Sequence, residues 1–204
     1  MIFAIPYIPG KDDDYKKLAE AIKRSGLSTG HVLHIVSEFE HEEEAQRFGD
    51  KVVDQFQRTT HAVLPVEPRG PLQRANDLFT HAARFLDAFK ANEGEVQDPP
   101  MLYMDPRWRP SKNGWADTLQ AEYYLRNRPK VTGEFTLLED GSKNFQGPIL
   151  FAPGFASQSG LIDYTPPDVF WRDYLRWELS VNGVSTELIG NSAKAVIKPG
   201  QPTK

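Results

Sequence analysis

The sequence predicts an α/β fold: a single domain built on a mainly parallel, twisted sheet flanked by helices. Three observations carry this expectation. Short apolar runs of strand length alternate with stretches of helical periodicity four times before residue 130, an order that favours parallel strands joined by right-handed crossovers. The 204 residues suffice for one good-sized core, and no long linker divides them. Hydrophobic residues make up 39% and charged residues 25%, an ordinary globular balance.

Each element has its own signal. Residues 2–8 are apolar and aromatic and stop at Pro9-Gly10, which reads as a buried first strand. Asp12, Asp13 and Asp14 then precede Tyr15, Leu18, Ala19 and Ile22 at helical spacing, and acids in a first turn suit the positive end of the helix dipole. Gly26 is the predicted stop. A second strand is expected at 31–36 and a polar helix at 41–57, with Ala45, Phe48, Val52 and Phe56 on one face. A third strand is expected at 61–66. The stripe Leu72, Ala75, Phe79, Ala82, Ala83, Leu86 and Phe89 predicts a helix over 72–90. A fourth strand follows at 101–104, then a helix from Trp115 to about Arg128, stopped by Pro129. After Lys130 the pattern changes. Residues 131–138 read as an edge or antiparallel strand before an Asp140-Gly141 turn, 149–152 as a short strand, and Pro167 and Asp168 as the start of a helix running to about Leu179.

Composition narrows the chemistry. A net charge of -4 argues against a whole-surface nucleic-acid binder. There are no cysteines, which removes disulfides, thiolate metal sites and cysteine nucleophiles. No apolar run reaches the roughly 20 residues of a membrane span, and the first residues lack a signal-peptide pattern, so no membrane anchor and a cytoplasmic location are expected. P-loop, dinucleotide-binding and Gly-x-Ser-x-Gly fingerprints are all missing, and the five histidines show no zinc-ligand spacing.

The segment Met101-Leu102-Tyr103-Met104-Asp105-Pro106-Arg107-Trp108-Arg109 carries the strongest functional signal. An apolar strand that ends in an acid puts that acid at the carboxyl edge of the sheet, where open α/β sheets bind ligands. Arg107 and Arg109 just beyond it suit an anionic group such as a phosphate. The competing reading of Asp105 is a simple turn with Pro106. By the same edge argument, Pro6 and Tyr7 after the first strand and Glu38 after the second are candidates for base and ribose contacts, with Tyr7 as a packed strand residue in the competing reading. Arg74 and Asn76 near the start of the third helix mark a further anion-binding candidate. From Pro106 to Thr132 six basic residues face two acids, so this segment could also meet the phosphates of a nucleic acid.

In its order of elements the chain resembles a small GT-A glycosyltransferase over roughly residues 1–180. The resemblance rests on the Pro-bearing loop after the first strand, on Arg74-Ala75-Asn76 in the long helix, on the acid ending the fourth strand, and on the Trp/Arg/Asp/Glu-rich segment near the end. It implies a Rossmann-like nucleotide-binding half at 1–110 and an acceptor half at 111–180 of a domain over 1–198; the Gly/Pro/Lys-rich end, 199–204, reads as a disordered tail. It further implies transfer of a sugar from a nucleoside-diphosphate sugar to an acceptor hydroxyl, the acceptor itself unnamed and nucleic acid among the candidates. The family's acidic motif, usually Asp-x-Asp, holds Mn²⁺ or Mg²⁺ against the diphosphate. Asp105 matches its first acid and would be the metal ligand, but Arg107 stands where the second belongs. Asp168 and Asp173 are the candidate catalytic bases. Two other classes compete: a nucleotidyltransferase, which would need a richer Gly/basic first loop than Pro9-Gly10-Lys11, and a non-catalytic nucleotide- or protein-binding module of the same fold.

Overall fold

Strand order explains where a ligand can sit. The computed structural model describes residues 1–28, 30–65, 70–89, 98–159 and 169–200. Its elements are β1 (Ile2–Pro6), α1 (Asp12–Ser25), β2 (Val32–Glu38), α2 (Glu42–Val52), β3 (Arg58–Leu64), α3 (Pro71–Ala88), β4 (Met101–Tyr103), β5 (Trp108–Pro110), α4 (Trp115–Leu125), β6 (Val131–Leu137), β7 (Lys143–Phe151), α5 (Phe155–Gln158), α6 (Trp171–Tyr174), α7 (Arg176–Asn182), β8 (Gly183–Ser185) and β9 (Ile197–Pro199). A seven-stranded sheet runs β3-β2-β1-β4-β7-β6-β8. All its neighbours pair in parallel except β7, which is antiparallel to both β4 and β6. From β1 the chain winds outward through β2 to β3, then returns across β1 to β4. The winding reverses between β1 and β4, and open sheets leave a crevice at such a switch point, outside the carboxyl ends of the strands.

Helices cover both faces, so the central strands are apolar on both sides. Alternation within β1 sends Phe3, Ile5 and Tyr7 into one core with Tyr15, Leu18 and Ile22 of α1, Phe48 of α2, and Trp115 and Leu119 of α4. It sends Ile2 and Ala4 into the other core, with Phe79, Ala82 and Leu86 of α3, Phe151, and Trp171 and Leu179. Gly26 ends α1 as expected, at φ +61° with its N–H on the Ile22 carbonyl.

Several expectations shift. β3 begins at Arg58, three residues before the apolar run at His61. It is an edge strand whose polar start, Arg58-Thr59-Thr60, pairs with Val32, Leu33 and His34. β7 likewise begins at Lys143, before the apolar stretch at 149. β6 is antiparallel but internal, because β8 covers its other side. The expected 167–179 helix is two short ones, α6 and α7, and its first residues lie outside the described set. β5 and β9 form a separate two-stranded ribbon that the sequence did not announce. Pro199, assigned to the tail, instead closes β9 opposite Trp108, and the Gly200 N–H donates to the Arg107 carbonyl at 2.5 Å. Residues 201–204 lie outside the described set.

Candidate functional site

A cleft of about 240 Å³ opens at the switch point, on the α3 side of the sheet. Its lining comes from β1 and the residues after it (Pro6, Ile8), from α3 (Ala75), from β4 and its continuation (Tyr103, Asp105, Arg107, Trp108), from β7 (Gly147) and from the segment entering α6 (Phe170, Trp171, Arg172). One wall is aromatic. Trp171 stacks on Phe79 with ring centroids 3.6 Å apart, and Tyr103 meets Phe79 edge-on at 5.1 Å. The Trp108 indole lies against Gly147, which adopts φ +68°, and any Cβ there would run into the ring.

The charged groups sit at the mouth and the base. Arg107 grips Asp105 through two parallel bonds, Nε to Oδ1 and Nη2 to Oδ2, both 2.8 Å, and its backbone N–H adds a third at 2.9 Å. This hydrogen-bonded carboxylate raises the Arg107 pKa further. Deeper, Arg172 donates Nη1 to the Phe145 carbonyl at 2.8 Å and Nη2 to the Gly147 carbonyl at 2.6 Å. Its Nε is buried without a hydrogen-bond partner. Burial pulls the Arg172 pKa down, against the opposing pull of Tyr103 and Asp105. Burial likewise pushes the Tyr103 hydroxyl well above its ordinary range, so it stays protonated.

The remaining sequence candidates distribute unevenly. Pro6, Asp105 and Arg107 line the cleft. Tyr7 does not: the parity of β1 turns it to the opposite face, where it stacks on Tyr15 at 4.7 Å and donates to Asp12 Oδ1 at 2.8 Å. Asn76 is buried and clamps the chain entering α6, donating to the Val169 carbonyl at 2.7 Å and accepting from the Trp171 N–H at 2.8 Å. It therefore acts on the cleft through Phe170, Trp171 and Arg172. Glu38 pairs with Arg74 at 3.4 Å, acid and base facing each other across β2 and α3. Arg109 is turned to Asp14 of α1 at 3.0 Å and does not line the cleft. Asp173 is exposed and pairs with Arg176 at 3.0 Å on the outer side of its helix. Asp168 lies outside the described residues.

Sequence reasoning missed Tyr103 and Arg172. Tyr103 shares a face with Asp105 by strand parity, a signal that was present. Arg172 was hidden, because one arginine in an aromatic run gives no sign of burial. The basic stretch 107–130 does not make one surface. Arg107 and Arg109 pair with acids at one end of α4, whereas Arg128 and Lys130 line a different depression beyond its other end, an 11-residue helix or roughly 16 Å away.

For a divalent cation the donor set is poor. Hard cations need several oxygen ligands, and Asp105 offers two oxygens already held by a guanidinium. Among the described residues no three carboxylates or histidines converge. These residues do not fit the metal that the acidic motif of the resembling enzymes holds.

No protein-family model matches the chain, and no curated protein matches it in sequence. Solved structures do match. Superposition on the galactosyltransferase LgtC, in complex with donor and acceptor sugar analogues, covers 99% of this chain and 87% of that one at a TM-score of 0.56 and 9% identity. The fold is that of the GT-A glycosyltransferases. Mouse xyloside xylosyltransferase 1 shares this GT-A fold over 98% of both chains, with a TM-score of 0.51 and 10% identity. The glycosyltransferase GlyE of Streptococcus pneumoniae matches 92% of this chain over 45% of its own length, with a TM-score of 0.53 and 8% identity. Among the described residues no helix of this GT-A domain is long and apolar enough to cross a membrane.

Proposed function

We propose that the protein transfers a sugar from a nucleoside-diphosphate sugar to an acceptor hydroxyl. The single observation that carries this reading is the cleft at the β1/β4 switch point, where an acid and two guanidiniums meet an aromatic wall on a GT-A fold. The aromatic wall suits a sugar or base face, and the guanidiniums suit a diphosphate. LgtC, on a similar fold, was crystallised with donor and acceptor sugar analogues.

The reaction needs little from the chain. The acceptor oxygen forms a bond to the anomeric carbon, the bond from that carbon to the diphosphate oxygen breaks, and the electron pair leaves with the diphosphate. The acceptor proton goes to a base or to water. Arginine N–H groups aimed at the leaving group stabilise its growing charge. Asp173, tied to Arg176 outside the cleft, is a poor base, which makes Asp168 the better of the two candidates.

The test is release of nucleoside diphosphate from a panel of nucleotide sugars, with acceptors that include saccharides and hydroxymethylated DNA. Transfer is expected with at least one donor. It should persist in Asp173→Asn and be lost in Asp168→Asn, since a carboxamide keeps the shape but takes no proton. One observation favours a second reading, a non-catalytic binding module: Asp105 is neutralised by Arg107 rather than left to act. Nucleotide sugars that bind without transfer or hydrolysis would decide for that reading.

A further inference from the structure

A guanidinium partly removed from water is normally held by a carboxylate or another anion. Arg172 departs from this pattern. Two neutral carbonyls, those of Phe145 and Gly147, hold its Nη atoms, and its Nε has no hydrogen-bond partner. Among the described residues it forms no ion pair. The acid nearest in the cleft, Asp105, has both oxygens on Arg107. Among the described residues the cleft thus holds one negative and two positive side chains, and its inner cation lacks a counter-ion.

A divalent cation entering here would face two guanidiniums and compete with Arg107 for its one carboxylate. A dianion would meet a half-buried, pre-positioned cation and a second one at the rim. We propose that the cleft binds the diphosphate of its ligand without a divalent metal, with Arg172 as the main anchor and Arg107 as the outer one. The proposal rests on the nucleotide-sugar reading above and deepens it: the positive charge that the resembling enzymes draw from Mn²⁺ or Mg²⁺ comes from the chain itself. Fixed guanidiniums also give directional N–H donors, which a hydrated ion lacks.

Calorimetry with UDP, GDP and inorganic pyrophosphate, each in EDTA and in Mn²⁺, tests this on the intact protein. Affinity in EDTA should stay within roughly threefold of that in Mn²⁺. Arg172→Gln should weaken pyrophosphate binding by roughly ten- to a hundredfold, the loss of a charge-assisted bond, with partial recovery in Arg172→Lys. Because Arg172 also supports β7, Asp105→Asn provides a variant independent of that role. Removing a negative charge from an anion site should tighten pyrophosphate binding, whereas a metal site would lose its ligand and weaken. Binding that requires Mn²⁺, or that drops in Asp105→Asn, overturns the proposal and leaves sugar transfer standing. Pyrophosphate binding in EDTA with no response to any nucleotide upholds the anion site and removes the nucleotide-sugar reading.

Discussion

Asn76 uses both ends of its carboxamide to hold the backbone on either side of Phe170. Asn76→Ala leaves a buried carbonyl and a buried N–H without partners, at about 1–3 kcal/mol each. The expected outcome is a loss of about 2–6 kcal/mol in urea unfolding, together with weaker diphosphate binding as Arg172 loses its seat. Asn76→Leu, equally unable to bond, should do no better. His34 offers a second test. It is buried against Phe85, with Nδ1 on the Thr60 hydroxyl at 2.9 Å and Nε2 unpartnered. Burial pulls its pKa down to about 3, with His81 and His61 adding to the effect. The folded state therefore refuses a proton that the unfolded chain accepts near pH 6.5. Stability from this group is complete above pH 6.5, falls by up to about 1.4 kcal/mol per pH unit below it, and levels off near pH 3. Urea midpoints at pH 7, 6 and 5 should show this slope, and His34→Phe should reduce it, leaving the share of His31, which burial pulls down to about 4. At this scale the sequence was legible where parity fixes direction. Asp105 and Pro6 reach the cleft because they share the face of Tyr103 and Ala4. The same rule, applied to Tyr7, turns its ring away from the cleft. Pairings between distant residues, such as Glu38 with Arg74 or Arg109 with Asp14, leave no local trace.

Elements with their own periodicity were read well, and elements that depend on a partner were not. The apolar stripe of α3 faces β1 and β2, and its boundaries fall within two residues of the pattern. β5 and β9 contain three residues each and exist only because they pair with one another across most of the second half of the chain. The first half of β7, Lys143-Asn144-Phe145-Gln146, holds a single apolar residue, so an apolar-run criterion passes over it although β6 pairs with it throughout. One element-level test lies where β7 meets β5. Gly147 carries a left-handed φ and lies beneath the Trp108 indole. Gly147→Ala adds backbone strain of order 1–3 kcal/mol and displaces the indole. Reduced thermal stability is expected together with a change in Trp fluorescence, and Trp108→Ala in the same background should recover part of the stability by making room. An unchanged melting temperature for Gly147→Ala would mean that the indole does not rest there.

Across the whole molecule, the parallel half of the sheet follows from four repeats of strand and helix, and the reversal of winding between β1 and β4 locates the cleft. Sheet order beyond β4 was not legible, because β7 must double back to lie beside β4 before β6 can join it. One consequence concerns time rather than space. All seven strands of the large sheet have left the ribosome once Ser185 has, but β9 arrives only at Ile197. It then pins β5, whose Trp108 walls the cleft, while Gly200 meets the carbonyl of Arg107 itself. During synthesis the scaffold can therefore close before its ligand-holding loop does, and a stalled nascent chain exposed only to about residue 190 should resist protease as a sheet yet gain no protection from pyrophosphate.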